Sequence, residues 1–189
     1  MTAPQKLRTV RLLLRSLEPG DAPVLVRLAG AREIAATTLR IPHPYAESDA
    51  QQFLAEVSED FNAGRSVSFA VSISPGHELC GGIGLYLDQE HKRGELGYWM
   101  GVPFWGKGYA TEAARAVVAF GFETLRLHRI FAHHFAGNKA SQRVLERVGM
   151  RHEGRSRQHI QKWDRWIDLE NYGLLAEEFL KEEAARTPR

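Results

Sequence analysis

From Ser66 to Ile73 the chain alternates with a period of two: Val67, Phe69, Val71 and Ile73 fall on one side, Ser66, Ser68, Ala70 and Ser72 on the other. Successive side chains of a strand point to opposite faces, so this segment predicts a half-buried β-strand. The Pro75-Gly76 pair turns the chain, and Leu79 to Leu87 and Arg93 to Val102 read as two more strands, giving an antiparallel meander of three. Upstream, Leu7 to Leu17 partly alternates, with Val10, Leu12 and Leu14 against Arg11, Leu13 and Arg15, and reads as an opening strand. Pro19, Gly20 and Asp21 supply a turn and an N-cap for a helix over Ala22 to Ala29, closed by Gly30. Ile41-Pro42-His43-Pro44-Tyr45 is a loop, because each proline pushes the residue before it toward extended backbone. Phe53, Leu54, Val57 and Phe61 then recur at helical spacing between a capping Ser48 and Gly64, predicting a second helix.

The Ala-rich run from Thr111 to Leu125 predicts a longer helix. It is followed by a strand over Arg129 to Phe135, a helix from Asn138 to Val148 ended by Gly149, two further strands and a closing helical turn. There is no internal repeat. Strands interrupted by helices on both sides place the chain in the α/β (α+β) class, as one layered domain over residues 1–189 with a mixed, mostly antiparallel central sheet of about seven strands.

Composition agrees with that reading and narrows the function classes. A chain of 189 residues that is 43% hydrophobic and 25% charged, with 17 Gly and 8 Pro, matches a folded domain rather than a disordered or fibrous one. No apolar run approaches the roughly 18 residues of a membrane helix. Met1 to Lys6 lacks the apolar core of a secretory signal, so a soluble, cytoplasmic protein is expected. The formal net charge is +2, with 25 basic and 23 acidic residues interspersed, which does not favour a nucleic-acid partner. Cys80 is the single cysteine: it excludes an intramolecular disulfide and a Cys-rich zinc site, and inside an apolar strand it reads as a small hydrophobe rather than a nucleophile. The eight scattered histidines show no ligand spacing, and no metal site is expected.

Gly106 to Thr111 carries the first chemical signal, because small residues follow a strand and open a long helix. Unpaired amides at a helix start, with the positive end of its dipole, bind phosphate wherever glycine lets the ligand approach. A plain strand-to-helix turn is the alternative. Gly101, Gly106 and Lys107 begin a P-loop pattern, but Gly108 stands where magnesium coordination needs a Ser or Thr hydroxyl. Gly81-Gly82-Ile83-Gly84 has no following helix, so it marks close backbone approach inside a strand rather than a dinucleotide site.

Trp105-Gly106-Lys107-Gly108-Tyr109-Ala110-Thr111-Glu112-Ala113 resembles the acyl-CoA pyrophosphate loop of the GNAT N-acetyltransferases, with Trp105 at the position of the family's Gln or Arg and Gly108 and Ala110 matching. Asn138, Ser141, Val144, Leu145, Gly149 and Met150 resemble the family's second cofactor-side block. Glu95-Leu96-Gly97-Tyr98-Trp99 resembles the strand along the pantetheine arm, and Asp168 with Tyr172 the closing strand. In order, the blocks span residues 7–180, and the likeness is strongest to the ribosomal-protein N-terminal acetyltransferase branch.

That resemblance implies an acetyl-CoA-dependent transfer of an acetyl group to a primary amine by direct attack in a ternary complex, with acetyl-CoA as co-substrate. The acceptor would be a peptide, a protein N-terminal α-amine or a small molecule such as an aminoglycoside, polyamine or amino acid. A non-catalytic acyl-CoA-binding module is the alternative of another class, and a homodimer is left open. The amides of Gly106, Lys107, Gly108, Tyr109, Ala110 and Thr111 would take the pyrophosphate, and the backbone of Trp99, Met100, Gly101 and Val102 would pair with the pantetheine arm. Asn138 would reach that arm, cap its helix, or do both. Lys139 and Arg143 would approach the adenosine phosphate or stay solvated.

Glu95 is the candidate base, because it lies in an otherwise apolar strand and shares a face with Gly97 and Trp99. The alternative is an exposed Glu paired with Arg93 or Lys92. His133 and His134 are adjacent, so on a strand they face opposite sides and at most one reaches a cleft. Many relatives protonate the leaving thiolate with a tyrosine where this chain has Leu145, so Ser141, one turn earlier, is the candidate partner of the sulfur. Its alternative is a Ser that satisfies helix-start amides. The Ile34 to Tyr45 loop, which the family places near the acceptor, holds no acidic cluster and suits a peptide or neutral acceptor.

Overall fold

The computed structural model describes residues 6–186; Met1 to Gln5, part of the segment read above for a leader, lie outside them. The opening segment is two strands rather than one: β1 (Leu7–Arg8) and β2 (Leu12–Arg15) fold back on each other. Thr9 closes the turn, its N–H donating to Leu12 O at 2.9 Å while the Leu12 N–H donates to Thr9 Oγ1 at 2.9 Å. This hairpin brings the sheet to eight strands, one more than the sequence predicts.

Next comes α1 (Ala22–Ala29), as predicted. The Asp21 carboxylate does not cap it, turning instead to Arg15 at 2.7 and 2.8 Å and to the Glu18 N–H at 2.9 Å. A one-turn helix, α2 (Arg32–Ala35), takes up Ile34 and Ala35, which the sequence reading placed in the loop. The next helix, α3 (Glu47–Asn62), starts before Ser48; Asp49 rather than Ser48 accepts the free Ala46 N–H, at 2.6 Å.

The meander β3 (Ser66–Ile73), β4 (Glu78–Asp88) and β5 (Arg93–Met100) is antiparallel throughout. It is buried on both faces: Ser66 and Ser72 are 2% and 0% exposed, because α3 covers the face opposite the one on which Phe69 meets Phe120 edge-to-face. Period two therefore gave the strand correctly and its polar face as solvent wrongly. On β4 a Cβ at Gly81 would stand 2.3 Å from the Trp99 carbonyl, the close approach that its glycines signal.

Then follow α4 (Tyr109–Glu123), β6 (Arg129–Phe135), α5 (Lys139–Arg147), β7 (Arg151–Lys162), β8 (Arg165–Leu175) and α6 (Ala176–Arg186). The strand order is β1-β2-β3-β4-β5-β6-β8-β7. Among the described strands only β5 and β6 are parallel, and they pair at just three positions, Arg93 with Arg129, Gly94 with Ile130 and Glu95 with Phe131. Beyond Glu95 the two strands part, which opens the middle of the sheet. No helix among the described residues is long and apolar enough to cross a membrane.

Candidate active site

From Leu96 to Met100, β5 has β4 on one side and, among the described residues, no strand partner on the other. The opening is a cleft of ≈ 590 Å³ whose lining includes Glu95, Gly97, Tyr98, Trp99, His133 and Ser141. Alternation fixes which side chains face which way. Glu95 stands level with Phe131, so His133, two residues on, shares its face, and Glu95 Oε1 lies 3.5 Å from His133 Nδ1. Arg93 does not pair with Glu95 but with Asp88, its Nε at 2.9 Å.

Burial pushes the His133 pKa below its ordinary value; the Glu95 charge opposes this, while His159, Arg40 and His134 add to it. The lowered value favours the neutral ring at pH 7, and beside a carboxylate, which can only accept, the neutral ring turns an N–H rather than a lone pair toward Glu95. His134 turns to the opposite face, is 5% exposed, and places Nδ1 2.9 Å from Phe135 O with its ring against Tyr172. Of the two histidines, His133 is the one beside Glu95.

The other face of β5 carries a residue that the sequence reading passed over. Tyr98 OH lies 2.6 Å from Ser141 Oγ, across 43 residues of sequence. Burial drives the phenol up to about 12, only partly offset by that hydrogen bond. Asn138 caps α5 by accepting the Ser141 N–H at 3.0 Å, so the cap is the Asn and the Ser hydroxyl is left for the cleft. Leu145 is 1% exposed in the core. The available signal was a single tyrosine among small and apolar strand neighbours, but nothing local pairs it with a helix so far along the chain.

The glycine segment opens α4 two residues earlier than predicted, at Tyr109, with Gly108 at φ +81° in the left-handed region that favours glycine. The first helical bond is from Glu112 N–H to Gly108 O at 3.1 Å, so the amides of Tyr109, Ala110 and Thr111 have no acceptor within the helix. The loop is braced from behind: Arg11 donates to Lys107 O at 3.0 Å, and Glu112 accepts from the Thr9 hydroxyl at 2.7 Å and the Arg11 N–H at 2.8 Å. The Lys107 ammonium stands 5.6 Å over the Phe104 ring.

The strand expected to run through Val102 ends at Met100. Gly101 N–H is taken by Cys80 O at 2.8 Å, Val102 enters a tight turn through Phe104, and Trp105 Nε1 donates to Met100 O at 2.6 Å. The free edge is thus Leu96 to Met100, with Trp105 closing its far end. Cys80 is fully buried and its thiol is driven up to about 12 by burial, so it acts as the small hydrophobe expected. Lys139 donates to Gln142 on its own helix at 3.0 Å. Among the described residues no group of His, Cys, Asp and Glu is arranged to hold a metal ion.

A sheet parted beside an anion-ready helix start, with an acid and a hydroxyl on opposite sides of the opening, is the arrangement that an acyl-group transferase would need. The comparisons make this specific: the chain belongs to the acetyltransferase (GNAT) family, whose domain model matches residues 11–151. It is 31% identical over 177 residues to the uncharacterized N-acetyltransferase p20 of Bacillus licheniformis, covering 93% of this chain and 98% of that one. The GNAT-family acetyltransferase of Bacillus anthracis superimposes with a TM-score of 0.81 at 28% identity, covering 92% of this chain and 99% of that one. The ribosomal L7/L12 alpha-N-protein acetyltransferase RimL, in complex with coenzyme A, shares the fold at a TM-score of 0.84 and 16% identity, over 90% of this chain and 98% of that one.

Proposed function

We propose that the chain transfers the acetyl group of acetyl-CoA to the α-amine of a protein or peptide N-terminus, by direct attack in a ternary complex. The observation that carries this is the division of the cleft: Glu95 and His133 on one face of the opening, Ser141 on the other, and the amides of Tyr109 to Thr111 at the adjoining helix start. Acetyl-CoA supplies an activated thioester. Gly106, Lys107 and Gly108 with the first-turn amides would hold its pyrophosphate, and the Leu96–Met100 edge its pantetheine amides. Glu95 takes a proton from the amine as its nitrogen bonds to the carbonyl carbon, and the Ser141 hydroxyl meets the sulfur as the C–S bond breaks.

A polycationic small amine is the second reading, carried by the acids of α3. Asp49, Glu56 and Asp60 line the cleft; Asp60 is ion-paired with Arg65 at 2.7 Å, whereas Asp49 accepts the Ala46 N–H and Glu56 accepts from Gln52 at 2.7 Å, neutral donors that bring no positive charge. The RimL comparison supports an N-terminal acceptor by likeness of fold. Incubation with acetyl-CoA and a panel of N-terminal peptides and small amines, following thiol release, tests the reading. Faster release with peptides is expected. Release with polyamines or aminoglycosides alone would overturn the acceptor, and CoA binding without release would make the protein a binding module.

A further inference from the structure

Among the described residues Ser141 Oγ has one hydrogen-bond partner, the Tyr98 hydroxyl. The Tyr98 hydroxyl is 2.6 Å from Ser141 Oγ, where either oxygen can donate, and 3.3 Å from the Ser141 carbonyl, which can only accept; the shorter contact and the more acidic phenol favour donation from Tyr98 to Oγ. Once Oγ accepts from Tyr98, the serine's own hydrogen must point elsewhere. Both residues line the cleft, and the backbone N–H of Ser141 is already committed to Asn138. Leu145, one turn along α5, is in the core, so the helix offers no phenol of its own there.

We infer that Tyr98 is a positioning residue for the departing sulfur: by donating to Ser141 Oγ it turns the Ser141 O–H into the cleft and strengthens it as a donor to the thiolate. This rests on the transfer reading above and goes beyond it. Tyr98 does not surrender its proton. The buried phenol is driven up to about 12, above the range in which thiols ionise, so a thiolate leaves the phenol protonated. In the balanced step an N–C bond forms, the C–S bond breaks and the amine proton passes to Glu95. The sulfur's new lone pair is held by the Ser141 O–H until water protonates it, and neither hydroxyl changes its proton count. Linked hydrogen bonds polarise one another, which is why the pair outperforms a serine alone.

The test is the ionisation of the thiol of bound coenzyme A, followed by thiolate absorbance in the parent, Tyr98→Phe, Ser141→Ala and the double variant, with transfer kinetics alongside. Each single variant should raise the pH of thiol ionisation by about half a unit to one unit, and the double variant no further than the larger single effect. Each should lower kcat roughly three- to tenfold with the KM for acetyl-CoA within about twofold, again without addition in the double variant. A Tyr98→Phe enzyme with parental thiol ionisation, or effects that add in the double variant, would overturn the inference. Failure of the parent to saturate with coenzyme A would instead bring down the donor reading beneath it, and Tyr98's role with it.

Discussion

Arg11 and Glu112, 101 residues apart in sequence, meet with Nε 2.7 Å from Oε2, while the Arg11 N–H and the Thr9 hydroxyl reach Oε1. The β1–β2 turn is thereby fastened to the first turn of α4, one helical turn from Gly108. Burial raises the Glu112 pKa, but the bonds from Thr9 and Arg11 outweigh it and hold the carboxylate below its ordinary 4.5. A depressed folded-state value means that the stabilisation is present above the unfolded pKa and disappears as pH falls through the folded one. Glu112→Gln should lower Tm at pH 7 by roughly 2–8 °C. It should also flatten the loss of Tm between neutral and acid pH, as thermal melts across that range will show. A variant as acid-sensitive as the parent would contradict this.

Gly108→Val should abolish coenzyme A binding while leaving the fold intact. The backbone there sits at φ +81°, which a β-branched residue adopts only under strain, and relaxing it displaces the amides that follow. Calorimetry with coenzyme A and circular dichroism of the same variant separate the two effects. Unchanged affinity would show that the phosphates bind elsewhere.

Glu95→Gln should lower kcat by about 10² to 10⁴ with cofactor affinity little changed, the range for loss of a general base. The Glu95 charge raises the His133 pKa against burial, so removing it should move the His133 titration to still lower pH, as imidazole proton resonances in parent and variant will report. Activity within about twofold of the parent at every pH would move the base to His133. A His133 titration that stayed put or rose would refute the electrostatic link.

Strand and helix identities were legible wherever periodicity or capping is local: β3 and β6 run over the residues read from the sequence, as does α1. What escaped depends on partners distant in sequence. The Thr9 turn breaks the opening strand because the Thr9 hydroxyl and Arg11 find Glu112, and no alternation of apolar residues encodes that meeting. The serines of β3 read as a solvent face because period two cannot tell water from a second layer of helix. Glu95 and Ser141 were visible as residue types in recognisable blocks, but Tyr98 acquires meaning only when β5 is brought against α5. The parting of β5 from β6, on which the cleft depends, is a property of register, and no single strand's sequence contains it.

Three parallel rungs join β5 to β6, so the eight strands behave as two half-sheets coupled at a narrow waist, β1 to β5 on one side and β6, β8 and β7 on the other. Helix α4, which packs against strands of both halves, is a further tie. Such a waist concentrates compliance: amides of Leu96 to Met100 should exchange with solvent faster than those of β3, a difference that hydrogen exchange followed residue by residue will resolve. A molecule threaded along the open edge would act as a missing rung, and the protein's stiffness would then depend on whether its own substrate is in place.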